Sequence, residues 1–569
     1  MKSRTRQVVF GLCTLTLALG AAAQPAADST PSMDRDLPEV TIAQLHRYYA
    51  QHKYTVSQVV DWYLARIARY NGVYKPLEQV FDADARAAAA REDAAATAAH
   101  GALWGVPIVI KANTSIQGKV TTNGWEGFVV PGHELVAPRD ATIVARLRAA
   151  GAIILGHTNM PDFANSDTTR SSSFGRTGNA YDVRFSPGGS SGGTVTAVTA
   201  NLALLGNGTD TGNSIRMPSA TSALIGVFPT RGLVSIAGIA PLDWLLDDTG
   251  PIARTVTDAA IALDVMAGED ALDPVTQGSA AKAQPAPYEQ YLKRDALKGK
   301  RFGVPAFILA GTGDPFRGTP AVVPDVAAEK QAAEAAVALD ALTRAAFMKA
   351  VEELRALGAT VVIDDSVLPA SFARSAARIS TYAYGREGTD LFLKDFGPAQ
   401  YHSSADYERV MGAPLGAPMI GTEPDKAEFE YGDIKIAQRI LETDPDAERN
   451  FFGPRRRTLE EYLATLDRLH LDGYVYPACQ MPPVDETMPQ DGKVTDGPHS
   501  ATSWVNQLGV PAVVVVGGFY ESGLPFGMEF SGRPYRDGDL LGYAYAWEQG
   551  THHRHPPVLV DKGLLPIGR

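Results

Sequence analysis

The stretch that most constrains this chain is PGGSSGG, Pro187 to Gly193, followed by GNGTDTGNSIRMP, Gly206 to Pro218. Two adjacent serines stand between two glycine pairs, and a third serine, Ser214, sits in a second glycine-containing turn. Glycine pairs admit backbone angles closed to other residues and let the main chain approach a ligand closely. A hydroxyl carried on such a backbone is placed by geometry, with neighbouring N–H groups able to converge on the same point. That combination suits acyl-transfer chemistry, which needs a nucleophile and donors for a developing oxyanion.

Two other readings compete. Gly/Ser composition by itself describes a flexible linker, but Val195, Val198, Leu202, Leu204 and Leu205 lie between the turns and assign the region to a packed core. The run Gly188-Gly189-Ser190-Ser191-Gly192 also matches the G-x-S-x-G nucleophile elbow. On that reading Ser190 belongs to a histidine-dependent esterase, with His402, His470 or His499 as its partner. It leaves the second turn unexplained.

GGSSGG followed by DTGNSIRMPS resembles the amidase signature family, whose catalytic group is a Ser–cis-Ser–Lys triad. The resemblance puts the cis-serine at Ser190 and the nucleophile at Ser214, 24 positions on. It puts the lysine at Lys111, which ends the apolar run in GVPIVIKAN. Similarity continues over roughly residues 41–268 and 347–549, including GHTNMPDFA, NQLGVPAVVVVGGF and GLPFGMEFSGRPYRDGDLLGYAYAWEQ. It implies an α/β fold with a central mixed, twisted β-sheet covered by helices on both faces.

What the resemblance implies for the chemistry is specific. Ser214 attacks an amide carbonyl, and Lys111, uncharged through burial, takes the proton by way of the Ser190 hydroxyl. The backbone N–H groups of Thr211, Gly212, Asn213 and Ser214 form the oxyanion hole. Asn213 stands where the family usually has a second glycine, and asparagine tolerates unusual backbone angles better than most residues. Ser191 supports the relay by hydrogen bonding, and Asp210 and Arg216 hold the turn by pairing. No cofactor and no metal are implied. The 79-residue spacing from Lys111 to Ser190, with an export signal, points to C-terminal peptide amides as substrate, as in bacterial peptide amidases. Aryl, fatty and aliphatic amides stay open, as does a non-catalytic periplasmic binding protein.

Composition bounds the setting. Lys2, Arg4 and Arg6 precede an apolar run, Val8 to Leu19, and Ala21-Ala22-Ala23 fits a small-residue cleavage site. Residues 1–23 therefore read as a secretory signal peptide, too short for a spanning helix. Cleavage removes three basic residues and no acid, moving the net charge from −12 to −15. Such a chain is poorly suited to phosphate backbones or anionic membranes. The expectations are a periplasmic or secreted enzyme, no nucleic-acid partner and no membrane span after cleavage, with oligomeric state open. Cys479 is alone in the mature part, so no internal disulfide forms; it reads as a small apolar packing residue.

The rest of the chain divides into a flexible segment (24–40), one domain (41–550) and a solvated tail (551–569). Within the domain, residues 269–300 and 309–345 read as insertions or surface helices. Thr55 begins a helix with Gln58 three residues on. Residues 83–99 read as a second helix, 106–110 and 152–155 as strands around a helix over 140–150, and 347–357 as a helix before a strand over 360–363. Lys111 falls at a strand's carboxyl end, where open α/β sheets bind ligands. Asp243 to Asp248 lines the pocket, His157 is a solvated loop residue, and the His552-His553-Arg554-His555 run belongs to the tail, not to a metal site.

Overall fold

The apolar runs of this sequence are strands of one sheet. The computed structural model describes residues 1, 30–95, 100–311, 318–335, 337–418, 420, 428–431, 433–487 and 497–560. The expected signal peptide thus lies, apart from Met1, outside the described residues. Residues Met1–Pro38 form one compact unit and Glu39–Arg569 another. In the first, a helix spans Thr30–Asp36 within the segment expected to be flexible.

The second unit is built on eleven strands: β1 (Leu77–Val80), β2 (Pro107–Lys111), β3 (Ile153–Thr158), β4 (Leu205–Asp210), β5 (Ile225–Phe228), β6 (Asp248–Ala253), β7 (Arg301–Val304), β8 (Thr360–Ile363), β9 (Gly473–Pro477), β10 (Ala512–Phe519) and β11 (Pro525–Ser531). Their spatial order is β1-β3-β2-β4-β6-β5-β10-β11-β9-β7-β8. β3, β2 and β4 run parallel, as do β9, β7 and β8, and the strands between them pair antiparallel. The sheet is mixed and twisted, with helices on both faces. Fully buried runs such as Ile108-Val109-Ile110 and Val513-Val514-Val515 are what a sheet covered on both sides requires.

Register positions the site. Ile108 and Val109 of β2 pair with Leu205 and Gly206 of β4, and Lys111 pairs with Thr158 of β3. β2 thus ends at Lys111 alongside β4, which runs on past it to Asp210. The helix Gly192–Thr199, buried at every residue, packs on both strands and carries the first serine pair at its N-terminal end.

Local expectations fare unevenly. Thr55 accepts a hydrogen bond from the Gln58 N–H at 3.2 Å, and the Gln58 side chain accepts one from the Thr55 N–H at 3.0 Å, a complete capping box. β8 occupies 360–363 as read. The helix before it begins at Ala341, because the Asp340 carboxylate caps Leu342 and Thr343, so it reaches back into the expected insertion. β3 continues to Thr158 and takes His157 into the sheet.

The tail reading needs correction over its described part, residues 551–560. The His555 ring stacks on Phe519 with centroids 3.8 Å apart, His553 Nε2 lies 2.7 Å from Glu353, and Arg554 pairs with Glu39 at 2.8 Å. Aromatic stacking and ion pairing dock this segment on the domain. Among the described residues no cluster of His, Cys, Asp or Glu fit to hold a metal ion occurs, and no helix is long and apolar enough to cross a membrane.

The helix Gly192–Thr199 is pressed so closely on its neighbours that a Cβ at Gly193 would lie 2.3 Å from the Asn159 carbonyl oxygen and 2.7 Å from that of Pro76. Backbone atoms cannot rotate away, so Gly193→Ala is expected to destabilise the domain by about 1–3 kcal/mol or more. The check is a lowered urea midpoint at unchanged slope.

Candidate active site

Lys111 ends β2 with no exposed surface. Its Nζ donates to Ser190 Oγ at 2.7 Å, Thr209 Oγ1 at 2.8 Å and Ser191 Oγ at 3.0 Å, with the Thr209 carbonyl at 3.3 Å. Its N–H is held by Asn207 Oδ1 at 2.9 Å. Asn207 and Thr209 stand two apart on β4, so their side chains share one face of the sheet, and both reach Lys111. Burial lowers the Lys111 pKa to about 7, against the pull of the Asp210 and Asp247 charges. Near neutral pH a large share of this amine is therefore uncharged and able to accept a proton.

The first serine turn is clamped by its surroundings. The Gly189–Ser190 peptide is cis, the arrangement the resemblance implies. Gly188 has φ +77°, and a Cβ at Gly189 would lie 2.5 Å from the carbonyl oxygens of Ser166 and Thr168, so this backbone accepts only glycine. Thr169 Oγ1 donates to the Gly188 carbonyl at 2.9 Å and accepts from the Gly192 N–H at 3.1 Å. Ser191 Oγ donates to the Thr209 carbonyl at 3.2 Å. Among the described residues no strand leads into Ser190, as the elbow geometry would require.

The second turn follows β4 directly. The Ser191 N–H donates to the Ser214 carbonyl at 3.2 Å, bringing the two turns together. Asp210 Oδ2 accepts from the N–H groups of Ile215 (2.9 Å) and Arg216 (3.3 Å) and from Arg216 Nε at 3.0 Å. The same guanidinium donates to the Gly212 carbonyl at 2.7 Å, Asn506 Oδ1 at 2.5 Å and Glu529 Oε1 at 2.9 Å. Burial alone would ease the proton off Arg216, but Asp210 and Glu529 hold it more firmly than in water. Thr211 Oγ1 donates to Asp247 Oδ1 at 2.5 Å, and burial raises the Asp247 pKa to about 6. Asn213 Nδ2 donates to Asp167 Oδ1 at 3.1 Å and Ser500 Oγ at 3.0 Å.

All nine residues singled out from sequence thus lie on β2, β4 or the two turns. Within Asp243–Asp248, Asp247 accepts from Thr211 Oγ1 and Asp243 accepts from Thr381 Oγ1, each at 2.5 Å. His157 is also corrected. It is fully buried, Nε2 3.1 Å from the Thr114 carbonyl, and burial lowers its pKa to about 4. Cys479 is buried near Met217 and Val514, and burial raises its pKa well above the ordinary thiol range, the inert packing role read for it. Sequence reasoning missed Thr209, Asn207, Asn506 and Glu529. The first two were readable from the alternation of Asn207 and Thr209 beside Asp210; the others come from chain some 290 residues or more away.

Comparison with known proteins agrees with this geometry. Residues 58–317 match the family described as Amidase. The chain is 32% identical over 546 residues to a glutamyl-tRNA(Gln) amidotransferase subunit of Roseiflexus castenholzii, covering 92% of this chain and 99% of that protein. It is 30% identical over 541 residues to the corresponding subunit from a Synechococcus species, covering 91% and 93%. The chain belongs to the amidase signature family. Among solved structures, the peptide amidase of Stenotrophomonas maltophilia superposes with a TM-score of 0.70 at 28% identity, over 92% of this chain and 99% of that one. As an amidase signature hydrolase, the protein acts on carbon–nitrogen bonds of amides through an acyl-enzyme.

Two expectations are overturned by these relatives. Proteins named for a tRNA share the fold over nine-tenths of this chain at 30–32% identity, so the exclusion of a nucleic-acid partner is withdrawn. The placement in the periplasm or outside the cell is withdrawn on the same finding. A net charge is a sum over the whole surface and does not limit what one local face binds.

Because Arg216 pairs with two buried carboxylates, Asp210 and Glu529, Arg216→Met should cost about 3–5 kcal/mol, the penalty of stranding buried charge. Urea unfolding followed by tryptophan fluorescence measures it.

Proposed function

We propose that the protein hydrolyses a primary carboxamide to a carboxylic acid and ammonia, with Ser214 as nucleophile and Lys111 as base acting through Ser190. The observation that carries this reading is the fully buried Lys111 amine, 2.7 Å from Ser190 Oγ, with its pKa lowered to about 7. Ser214 Oγ attacks the carbonyl carbon while its proton passes to Ser190 Oγ and the Ser190 proton passes to Lys111 Nζ. The N–H groups of Ile215 and Arg216 already donate to Asp210. For the oxyanion we take the donors that the family resemblance implies, the amides of Thr211, Gly212, Asn213 and Ser214, each such donor contributing roughly 2.7–4 kcal/mol at comparable sites.

Collapse of the tetrahedral adduct breaks the C–N bond. The Lys111 ammonium returns its proton through Ser190 to the departing nitrogen, so one group serves as base and then as acid. Water then attacks the Ser214 ester along the same route, releasing the acid and restoring the hydroxyl. Ser191 and Thr209 keep the amine aimed during both transfers.

For the substrate, the structural likeness to a peptide amidase supports C-terminal peptide amides. The curated relatives support a second reading, an amidotransferase role with a tRNA-bound acceptor. Ammonia release from amidated dipeptides, glutamine and anilides, with and without tRNA, separates the two.

Ser214→Ala is expected to abolish turnover, and mass spectrometry of the wild type should find the trapped acyl group on Ser214. Only neutral Lys111 accepts a proton, so kcat/KM should rise about tenfold per pH unit below 7 and level off above it. An acid-side plateau, or full activity in Lys111→Met, would refute the assignment.

A further inference from the structure

One short loop touches both serine turns. The carbonyl oxygens of Ser166 and Thr168 lie where a Cβ at Gly189 would be, and Thr169 Oγ1 bonds to Gly188 and Gly192, so residues 166–169 hold the first turn at three glycines. The side chain of Asp167, in the middle of the same loop, points the other way. Its Oδ1 accepts from Asn213 Nδ2 at 3.1 Å and its Oδ2 lies 2.9 Å from His499 Nδ1. Asn213 also donates to Ser500 Oγ at 3.0 Å, and Ser500 accepts from Thr502 Oγ1 at 3.3 Å. The Thr502 carbonyl in turn accepts from Arg216 Nη1 at 3.2 Å.

We propose that Asp167 is a positioning residue that ties the second serine turn, through the Asn213 carboxamide, to the loop that already holds the first. The inference rests on the function proposed above, because it concerns the spacing of the two hydroxyls and the oxyanion amides.

The physical need is local. The Asp210–Arg216 network fixes the inner edge of the second turn, at residues 210, 212 and 216. Asn213 and Ser214 lie on its outer edge, where Asp167 and His499 are about a quarter exposed. A glycine at 213 offers no side chain to hold. Asparagine there converts a loose outer edge into one anchored to two other segments of chain, residues 166–169 and 499–502. The bridge depends on hydrogen bonding, not on charge. An asparagine at 167 can still accept from Asn213 and donate to the other ring tautomer of His499.

The test compares Asp167→Ala, Asp167→Asn, Asn213→Gly and the double variant Asp167→Ala/Asn213→Gly. Amide hydrogen exchange over residues 211–214 is read alongside amide-hydrolysis kinetics and the rate at which a fluorophosphonate labels Ser214. Asp167→Ala should speed exchange and lower kcat roughly 10- to 100-fold, within the loss a displacement of about 1 Å can cause. KM should stay within about threefold, since an interaction made in the transition state is what is lost. Asp167→Asn should restore most of the rate and protection. In the Asn213→Gly background the Ala substitution should add nothing.

Unchanged exchange in Asp167→Ala overturns the proposal whatever the kinetics. Equal loss in Asp167→Asn and Asp167→Ala, with raised KM, also overturns it and makes the carboxylate a substrate contact. Faster exchange in Asp167→Ala, with no labelling of Ser214 in the wild type, supports the brace and sinks the hydrolase reading instead.

Discussion

The site depends on a primary amine kept out of water without a carboxylate against it. Among the described residues the hydrogen-bond partners of Lys111 Nζ are three hydroxyls and one carbonyl oxygen. Had Asp210 or Asp247 touched the amine, the pair would have held the proton and left no base. Both carboxylates are turned to other work, Asp210 to Arg216 and the turn amides, Asp247 to Thr211. Their charges are felt at Lys111 without cancelling the effect of burial. The surrounding network can therefore be understood as a means of keeping acids near the lysine but bonded elsewhere.

The same arrangement explains why so much of the region is polar and yet buried. A buried donor or acceptor without a partner costs about 1–3 kcal/mol, so a core of hydroxyls, amides and charges has to be mutually satisfied. Arg216 does most of this, with bonds to Asp210, Gly212, Thr502, Asn506 and Glu529. Those contacts join the turn to β11 and to the segment preceding β10. The turn's inner geometry is thus set in part by chain 286 to 313 residues further along the sequence.

What the sequence made legible follows from this. Lys111, Ser190 and Ser214 could be found because each lies in a short motif whose neighbours act on the same few atoms. The Thr55 capping box was readable because its four residues are consecutive. His157 was misread because the strand holding it runs three residues past the apolar run that announced it, and a histidine does not look like an inward-facing residue. The tail was misread because polar composition says nothing of which exposed rings, such as Phe519, await a partner. Asn506 and Glu529 lay beyond local reasoning, since their role exists only once β10 and β11 have joined the sheet.

Asn213 marks the boundary between these cases. In sequence it is a departure from a glycine and looks like a small weakening of a motif. In the folded chain it is the point where the outer edge of the second serine turn gains partners that a glycine could not have. A substitution that costs backbone freedom is tolerable when its side chain finds fixed acceptors, and here Asp167 and Ser500 supply two. The chain thereby exchanges a turn shaped by its own flexibility for one shaped by contacts from two other segments. Variation in those segments can then alter the second serine turn without any change to the serines or the lysine, one way in which a fold can serve different chemistries.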